Sequence, residues 1–470
     1  MTATAIESED ARAKRRDTAF LGHPAGLGWL SATELWERFS YYGMTNLLVL
    51  YMVHYLLLGH SANIIGFAPF QSFVAWVNGP AATQQALASH IYGLYTSSVY
   101  ATPIIGGYLA DRFLGRTTAV TAGALSMALG HFLMAFDNCF VIALLCLAVG
   151  VGLFKGNIAS QVGALYTIED PRRATAFQIF LLAVQFAVIA SPFICGTLAE
   201  RVGWHWGFGA AGIGMLIGLA TYLLARPYLP PEPERRAAKT QRPPVSRNGW
   251  LKIAILVALL PVLAVGVVGN QQIGNAYPVW AERDLQMVFF GFTMPTTWLQ
   301  SIDAIISAIT MLGVVAFWKW WATRWVEPDE LAKITMGVAI SALAPLAFVA
   351  AAAYAAQTHQ KAGFGWVLLF EVINDIGFAN VLPVGLALYS RSAPVGTGSI
   401  MIGVYYLHLV AAQQLVGRVG GLLDTMPASR FWLLHVWLML GAAAVLLVYK
   451  LAIGRILAPA YTEAEAAAAR

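Results

Sequence analysis

The stretch RPYLPPEPERRAAKTQRPPVSRNG, residues 226–249, divides the chain and decides how the rest is read. Dense in proline and charge and lacking an apolar face, it reads as a linker. On both sides the sequence changes character, with apolar runs of about 20 residues, the length that crosses a bilayer core as helix. Six runs precede it, at 32–58, 87–110, 117–136, 140–160, 174–198 and 208–224. Six follow, at 251–269, 298–318, 334–356, 365–388, 399–419 and 433–451. Over the 470 residues, 58% are hydrophobic and only 11% charged, against about 25% charged in a soluble domain. A soluble enzyme is thereby excluded, and the short alternating strands of a membrane β-barrel are not seen.

The formal charge of +5 reports topology rather than a nucleic-acid partner. Basic residues concentrate in the N-terminal tail (Arg12, Lys14, Arg15, Arg16), in the linker and in alternate loops with Arg172, Arg173, Lys319, Arg324, Lys333 and Arg391. That asymmetry places both termini and the linker in the cytoplasm. The opposite loops hold few cations, among them Arg201, Arg283 and Lys361. The longest, 60–85, contains IIGFAPFQSFVAWV, which reads as an interfacial helix. No apolar run follows the basic tail directly, so no cleaved signal peptide is expected. Cys139, Cys146 and Cys195 lack metal or disulfide spacing and read as small buried hydrophobes.

Two six-helix halves joined by a cytoplasmic linker suit the major facilitator fold, an all-α membrane architecture in which the substrate cavity forms between halves. The expected organisation is a tail at 1–30, a bundle at 31–226, a linker at 227–249, a bundle at 250–456 and a tail at 457–470. The linker carries no extra helix pair.

Charge inside an apolar span is costly and therefore marks function by default. The first span holds Glu34, Glu37 and Arg38, spaced so that all three project from neighbouring parts of one helical face. Two acids held by one guanidinium can exchange a proton without exposing an unpaired charge; a structural ion pair is the alternative. Tyr41 and Tyr42 add hydroxyls one turn on. Lys155, in GVGLFKGNIAS, lies too deep to snorkel easily and needs a carboxylate partner from protein or substrate.

These segments resemble the proton-dependent oligopeptide transporter family. The resemblance rests on GHPAGL (22–27), ELWERFSYYGM (34–44), YGLYTSSVYATPIIGGYLADRFLGR (92–116) and GLFKGNIASQVGALY (152–166). It extends through PTTWLQSID (295–303), PVGLALYSRSAP (383–394) and IGVYYL (402–407), and so covers essentially the whole chain. It implies that Glu34, Glu37 and Arg38, the family's ExxER motif, take part in proton coupling. It further implies that Tyr41, Tyr42, Tyr100, Lys155 and Asn157 line a peptide site. Asp111, Arg112 and Arg116, in the loop motif of major facilitators, are expected to form a gating charge network.

Departures from the family pattern are several. Thr45 and Asn270 stand where an arginine and a glutamate are usual, so both members of a salt bridge are absent together. Phe378 replaces the tenth-span glutamate that would face Lys155. Glu371 and Asp375, seven and three residues earlier, lie near its face; Asp375 is the preferred replacement, with packing against Asn374 and Asn380 as the alternative. Asp303 replaces an asparagine that faces the substrate's amino end, and is expected to attract an ammonium or carry the coupled proton. Gln185 and Tyr405 occupy two further pocket positions.

The function implied is a proton-coupled symporter importing di- and tripeptides, with a modified or non-peptide amino-acid-like solute as the alternative. The expected setting is the cell inner membrane, as a monomer, with no cofactor, metal, nucleic-acid partner or enzymatic activity. GFGAAG at 207–212 has dinucleotide-fingerprint spacing but no βαβ context, and reads as small-residue helix packing. His54, His131, His408 and His435 lack metal-ligand spacing and read as interface hydrogen-bonders.

Overall fold

The computed structural model describes residues 17–167, 170–232, 247–394 and 397–457. The basic tail with Arg12 to Arg16, most of the linker and the C-terminal tail lie outside the described residues. The first half of the chain supplies α1 (Ala25–Tyr51), α2 (Phe67–Asn78), α3 (Gln84–Leu109), α4 (Arg116–Leu133), α5 (Phe140–Ala164), α6 (Arg172–Ser191) and α7 (Trp204–Ala225). The second supplies α8 (Arg247–Gly266), α9 (Ala276–Asp284), α10 (Trp298–Ala322), α11 (Glu330–Ser341), α12 (Pro345–Thr358), α13 (Gly365–Phe378), α14 (Leu382–Arg391), α15 (Gly398–Gly420) and α16 (Ala428–Leu457).

Among the described residues, ten helical segments are long and apolar enough to cross a membrane. α3 and α4, rich in hydroxyl residues and glycine, complete the twelve expected rods. α5 shows why these helices belong in lipid. Phe140, Leu144, Leu147, Val151, Phe154 and Ile158 form a buried stripe at helical spacing, yet Ile142, Leu145 and Val149 on the other side are exposed and equally apolar. A helix in water would carry polar residues there.

Several expected spans are broken rather than straight. The expected span 334–356 breaks where α11 and α12 meet before Pro345, and 365–388 where α13 gives way to α14 before Pro383; α8 ends at Gly266, and a short turn at Asn270–Gly274 leads into α9. Proline lacks the N–H that a continuous helix requires. α1 begins at Ala25, inside the stretch expected to be tail, and α2 falls within the expected interfacial segment, with Phe73 and Trp76 exposed. A two-stranded hairpin was not expected: β1 (Val288–Phe289) pairs with β2 (Phe292–Thr293). Its turn residues Phe290 and Gly291 have φ of 50° and 81°, the left-handed pair that suits a tight hairpin.

The chain forms two compact units. Among the described residues, the first comprises 17–47, Asn63–Ile65 and 101–232; the second comprises Leu48–Ala62, Gly66–Tyr100 and 247–457. Within the first, α4 and α5 approach closely at Gly123 and Gly150: a Cβ on Gly123 would lie 2.7 Å from the Gly150 carbonyl oxygen. Within the second, the early turns of α3 are fastened to α15. Gln85 Nε2 donates to the Gly420 carbonyl (3.1 Å), Ser97 Oγ to that of Val410 (2.9 Å) and Thr96 Oγ1 to Gln413 Oε1 (3.0 Å). Small and hydroxyl residues are how membrane helices pack without a hydrophobic driving force between them. The same unit holds an aromatic core in which Phe348 stacks on Phe370 at 4.0 Å and Trp280 meets Trp432 edge-on at 5.3 Å.

Two of the four singled-out histidines, His54 and His435, bond side chains from other elements, whereas His131 Nδ1 and His408 Nε2 have no hydrogen-bond partner. His435 Nε2 pairs with Gln272 Nε2 at 3.0 Å, and His54 Nε2 with Glu282 Oε2 at 2.5 Å. All three cysteines are free, Cys195 buried.

Candidate functional site

In the first unit, α1 presents its three charged residues as the spacing anticipates. Arg38 grips Glu37 with two parallel bonds, Nε to Oε2 at 2.5 Å and Nη2 to Oε1 at 2.7 Å. It reaches Glu34 Oε1 at 3.2 Å through the same Nε. Glu37 is 0% exposed and the other two are buried, so the planar fork is doing what it does best, two-point recognition of a carboxylate away from water. Glu34 Oε2 has no hydrogen-bond partner. The trio therefore has a tightly clamped acid and a loosely held one.

Tyr41 lies under the guanidinium, whose carbon is 5.0 Å from the ring centroid, and packs edge-on against Tyr42 at 5.1 Å. Lys155, half-buried on α5, lies within electrostatic reach of Glu34, Glu37 and Arg38. Asn157, two residues further along the same helix, is buried, and its Nδ2 donates to the Leu153 carbonyl at 2.7 Å.

At the α3–α4 loop, Arg116 Nε approaches Asp111 Oδ1 at 3.8 Å, while exposed Arg112 lies over the Phe113 ring. The structure adds a partner that spacing could not reveal. Glu232, at the start of the linker, accepts from the backbone N–H groups of Arg116 (3.0 Å) and Thr117 (2.7 Å), the first two residues of α4. A carboxylate at a helix N-terminus satisfies orphan donors and complements the helix dipole. Partial burial raises the Glu232 carboxyl, but the bonds from Thr117 and Arg116 more than offset this and hold it below the ordinary glutamate value. Such a group stabilises the fold above the unfolded carboxyl value, and the contribution is lost as pH falls through the depressed one. Glu232→Gln is thus expected to lower the melting temperature at neutral pH by the equivalent of about 1 kcal/mol. The gap from wild type should close in acid; a pH-independent gap would place the effect elsewhere.

In the second unit, α10 and α13 bring Asp303, Glu371 and Asp375 together, one carboxylate oxygen of each lying within 4.8 Å of the others. Tyr277 OH donates to Glu371 Oε1 at 3.0 Å, and Asn374 Nδ2 to Asp375 Oδ1 at 3.3 Å. Asp303 is half-buried; Glu371 and Asp375 are 0% and 2% exposed. Asn380 is not a partner of Asp375: its Oδ1 accepts from Trp318 Nε1 at 2.7 Å and its Nδ2 donates to the Ile376 carbonyl. Glu371, which the sequence offered only as a less favoured alternative, is the member shared by the tyrosine and the triad.

A family model described as the POT family matches residues 117–254 and 234–433, together well over half of the sequence. The chain belongs to the POT family. It is similar to the peptide transporter YePEPT of Yersinia enterocolitica, with 27% identity covering 86% of this chain and 88% of the relative. Among solved structures it resembles a mutant of a peptide transporter POT, with a TM-score of 0.78, 23% identity and coverage of 93% and 96%. It also resembles a POT family transporter in complex with 5-aminolevulinic acid, with a TM-score of 0.75, 22% identity and coverage of 92% and 97%. It is accordingly a multi-pass membrane protein of a transporter family.

The other positions singled out in the sequence can be placed. Asn270 is largely buried at the break between α8 and α9, its Oδ1 accepting from Gln271 Nε2 at 2.6 Å. Thr45 Oγ1 donates to the Tyr41 carbonyl at 2.8 Å, so it serves its own helix. Gln185 is exposed on α6. Tyr100 is half-buried against the core of the second unit. Tyr405 is fully buried, and its hydroxyl donates to the Val381 and Leu382 carbonyls at 3.1 and 3.2 Å. That hydroxyl adds to the junction of α13 and α14, where the Val381 carbonyl already accepts from the Gly385 N–H at 2.8 Å, a structural use distinct from the pocket position expected of it.

Proposed function

We propose that this POT family chain is a proton-coupled symporter of di- and tripeptides, working by alternating access as a monomer in the cell inner membrane with both termini cytoplasmic. The proton gradient drives it without a cofactor. The observation that carries the reading is the buried Glu34–Arg38–Glu37 group. Arg38 neutralises one of the two acids; the second needs a proton or another cation whenever the surroundings are dry. Glu34 is that second acid, because Glu37 holds both nitrogens of the fork while Glu34 keeps a free oxygen. Protonation there removes the surplus charge and adds a donor. Lys155, in reach of the same group, is suited to take the peptide carboxylate. The name of the relative YePEPT supports peptide as the cargo.

The test is uptake of labelled dialanine by the protein in liposomes. Wild type should accumulate it only with an inward proton gradient. Glu34→Gln should abolish driven accumulation while retaining exchange of dialanine across the membrane, because exchange needs no net proton movement. Equal driven uptake by Glu34→Gln and wild type would sink the assignment.

A second reading keeps the coupling and changes the cargo to an amino-acid-like solute. It is favoured by Phe378 in place of the usual glutamate, and by the similar fold that holds 5-aminolevulinic acid. Competition against a labelled amino-acid-like solute, with dialanine unable to compete, would select it.

A further inference from the structure

We infer that Asp303, Glu371 and Asp375 form a binding site for one hard metal cation of sodium or calcium size, within the second unit. The site draws on two elements. α13 contributes Glu371 and Asp375, four residues apart and so on one face, and α10 contributes Asp303. The 4.8 Å that bounds the separations of their ligand oxygens is twice the oxygen–metal distance of about 2.4 Å typical of calcium. Three oxygens share one ion at that distance when they are about 4.2 Å apart, so side-chain adjustments of about half an ångström let these surround it without the helices moving apart.

Their hydrogen bonding leaves one oxygen vacant on each fully buried acid. Tyr277 engages Glu371 Oε1 and Asn374 engages Asp375 Oδ1, whereas Glu371 Oε2 and Asp375 Oδ2 have no partner. The residue beside Asp375 adds a further buried, unsatisfied oxygen. The Asn374 side chain is 1% exposed, its amide head lies against Asp375, and its Oδ1 also lacks a donor. Buried polar oxygens without donors are rare in folded proteins. A cation satisfies carboxylate and amide oxygens at once, which a single proton does not. The donors are all oxygen, with no thiolate or imidazole among them, so the set selects hard ions over zinc or copper. Three carboxylates at this spacing also repel strongly in a low-dielectric setting, and a bound cation removes that repulsion. Half-buried Asp303 is the most accessible of the three acids.

Binding is read without transport, so the inference stands or falls independently of the symport reading. Purified full-length protein in detergent would be melted at fixed pH and ionic strength, with choline chloride replaced by sodium, calcium or magnesium chloride. The expected result is a rise of roughly 3–5 °C at saturating sodium or calcium, with the smaller magnesium ion less effective. Whichever of sodium and calcium acts identifies the ion. Asp375→Asn and Glu371→Gln should remove the rise while eluting as a single folded species. Retention of radioactive sodium or calcium by wild type, competed by the unlabelled ion, provides the same answer should the variants fail to fold. No shift with any of these metals and no retained isotope, in protein that melts cooperatively, would overturn the site and leave the triad held by protons alone.

Discussion

Arg38→Met is expected to destabilise the first unit by about 3–5 kcal/mol, the usual result of removing one partner from a buried ion pair. Arg38 Nε lies between Glu37 Oε2 at 2.5 Å and Glu34 Oε1 at 3.2 Å. Its removal strands two carboxylates on one helical face, out of water and repelling each other. The triple variant Glu34→Gln, Glu37→Gln, Arg38→Met, which removes the charges together, should recover most of the melting temperature, because similar volume without charge is tolerated. Lowering the pH should also recover part of the loss in the single variant, since protons supply the missing neutralisation. Thermal melts of the purified variants between neutral and mildly acidic pH read all three effects. A triple variant no more stable than Arg38→Met would show that the cost lies in packing, for instance the lost contact with the Tyr41 ring, rather than in charge.

Gly106→Ala and Gly107→Ala, neighbours on α3, are expected to act in opposite directions. A Cβ on Gly106 would lie 2.0 Å from the Gly152 carbonyl oxygen and 2.4 Å from its carbon, whereas a Cβ on Gly107 meets nothing within 4 Å. The obstruction at Gly106 is backbone and cannot rotate away, so α3 and α5 must part. One turn earlier they are tied by Thr102 Oγ1 donating to the Ala148 carbonyl at 3.0 Å. The substitution should cost about 3 kcal/mol or more, the upper range for overpacking. Gly107→Ala should be neutral or stabilise by up to about 1 kcal/mol, through helix propensity alone. Parallel melting curves decide it; similar losses at both positions would mean that glycine serves α3 through backbone flexibility rather than close approach.

How much of this could be read in advance depends on the range of the interaction. The Glu34–Glu37–Arg38 group was legible because i, i+3 and i+4 neighbours share a helical face wherever the helix lies. Glu371 was harder. On its own helix it is one of two acids near Phe378, and only the approach of α10 and the hydroxyl of Tyr277 from α9 single it out. Glu232 carried no signal, since a glutamate in a proline-rich linker looks solvated until the start of α4 is placed beside it. The hairpin at 288–293 was hidden because its strands are two residues each, too short for an alternating pattern to register. Tyr405 shows the limit of carrying a pocket role over by resemblance. Its hydroxyl reaches the Val381 and Leu382 carbonyls at a helix junction, a choice of partner that the approach of α15 to that junction decides and residue type does not.

The amino-acid sequence by itself determined that this protein lies in a membrane, that its chain forms twelve helical rods in two sets of six, and that acids and a base sit together on the first. Those properties follow from lipid, which demands apolar side chains over a bilayer's length and makes each buried charge conspicuous. Tertiary structure decided which acids meet across helices, which backbone groups the polar side chains serve, and where glycine lets two backbones touch. Each depends on elements far apart in sequence arriving within a few ångströms, where hydrogen bonds and steric exclusion act and periodicity carries no information.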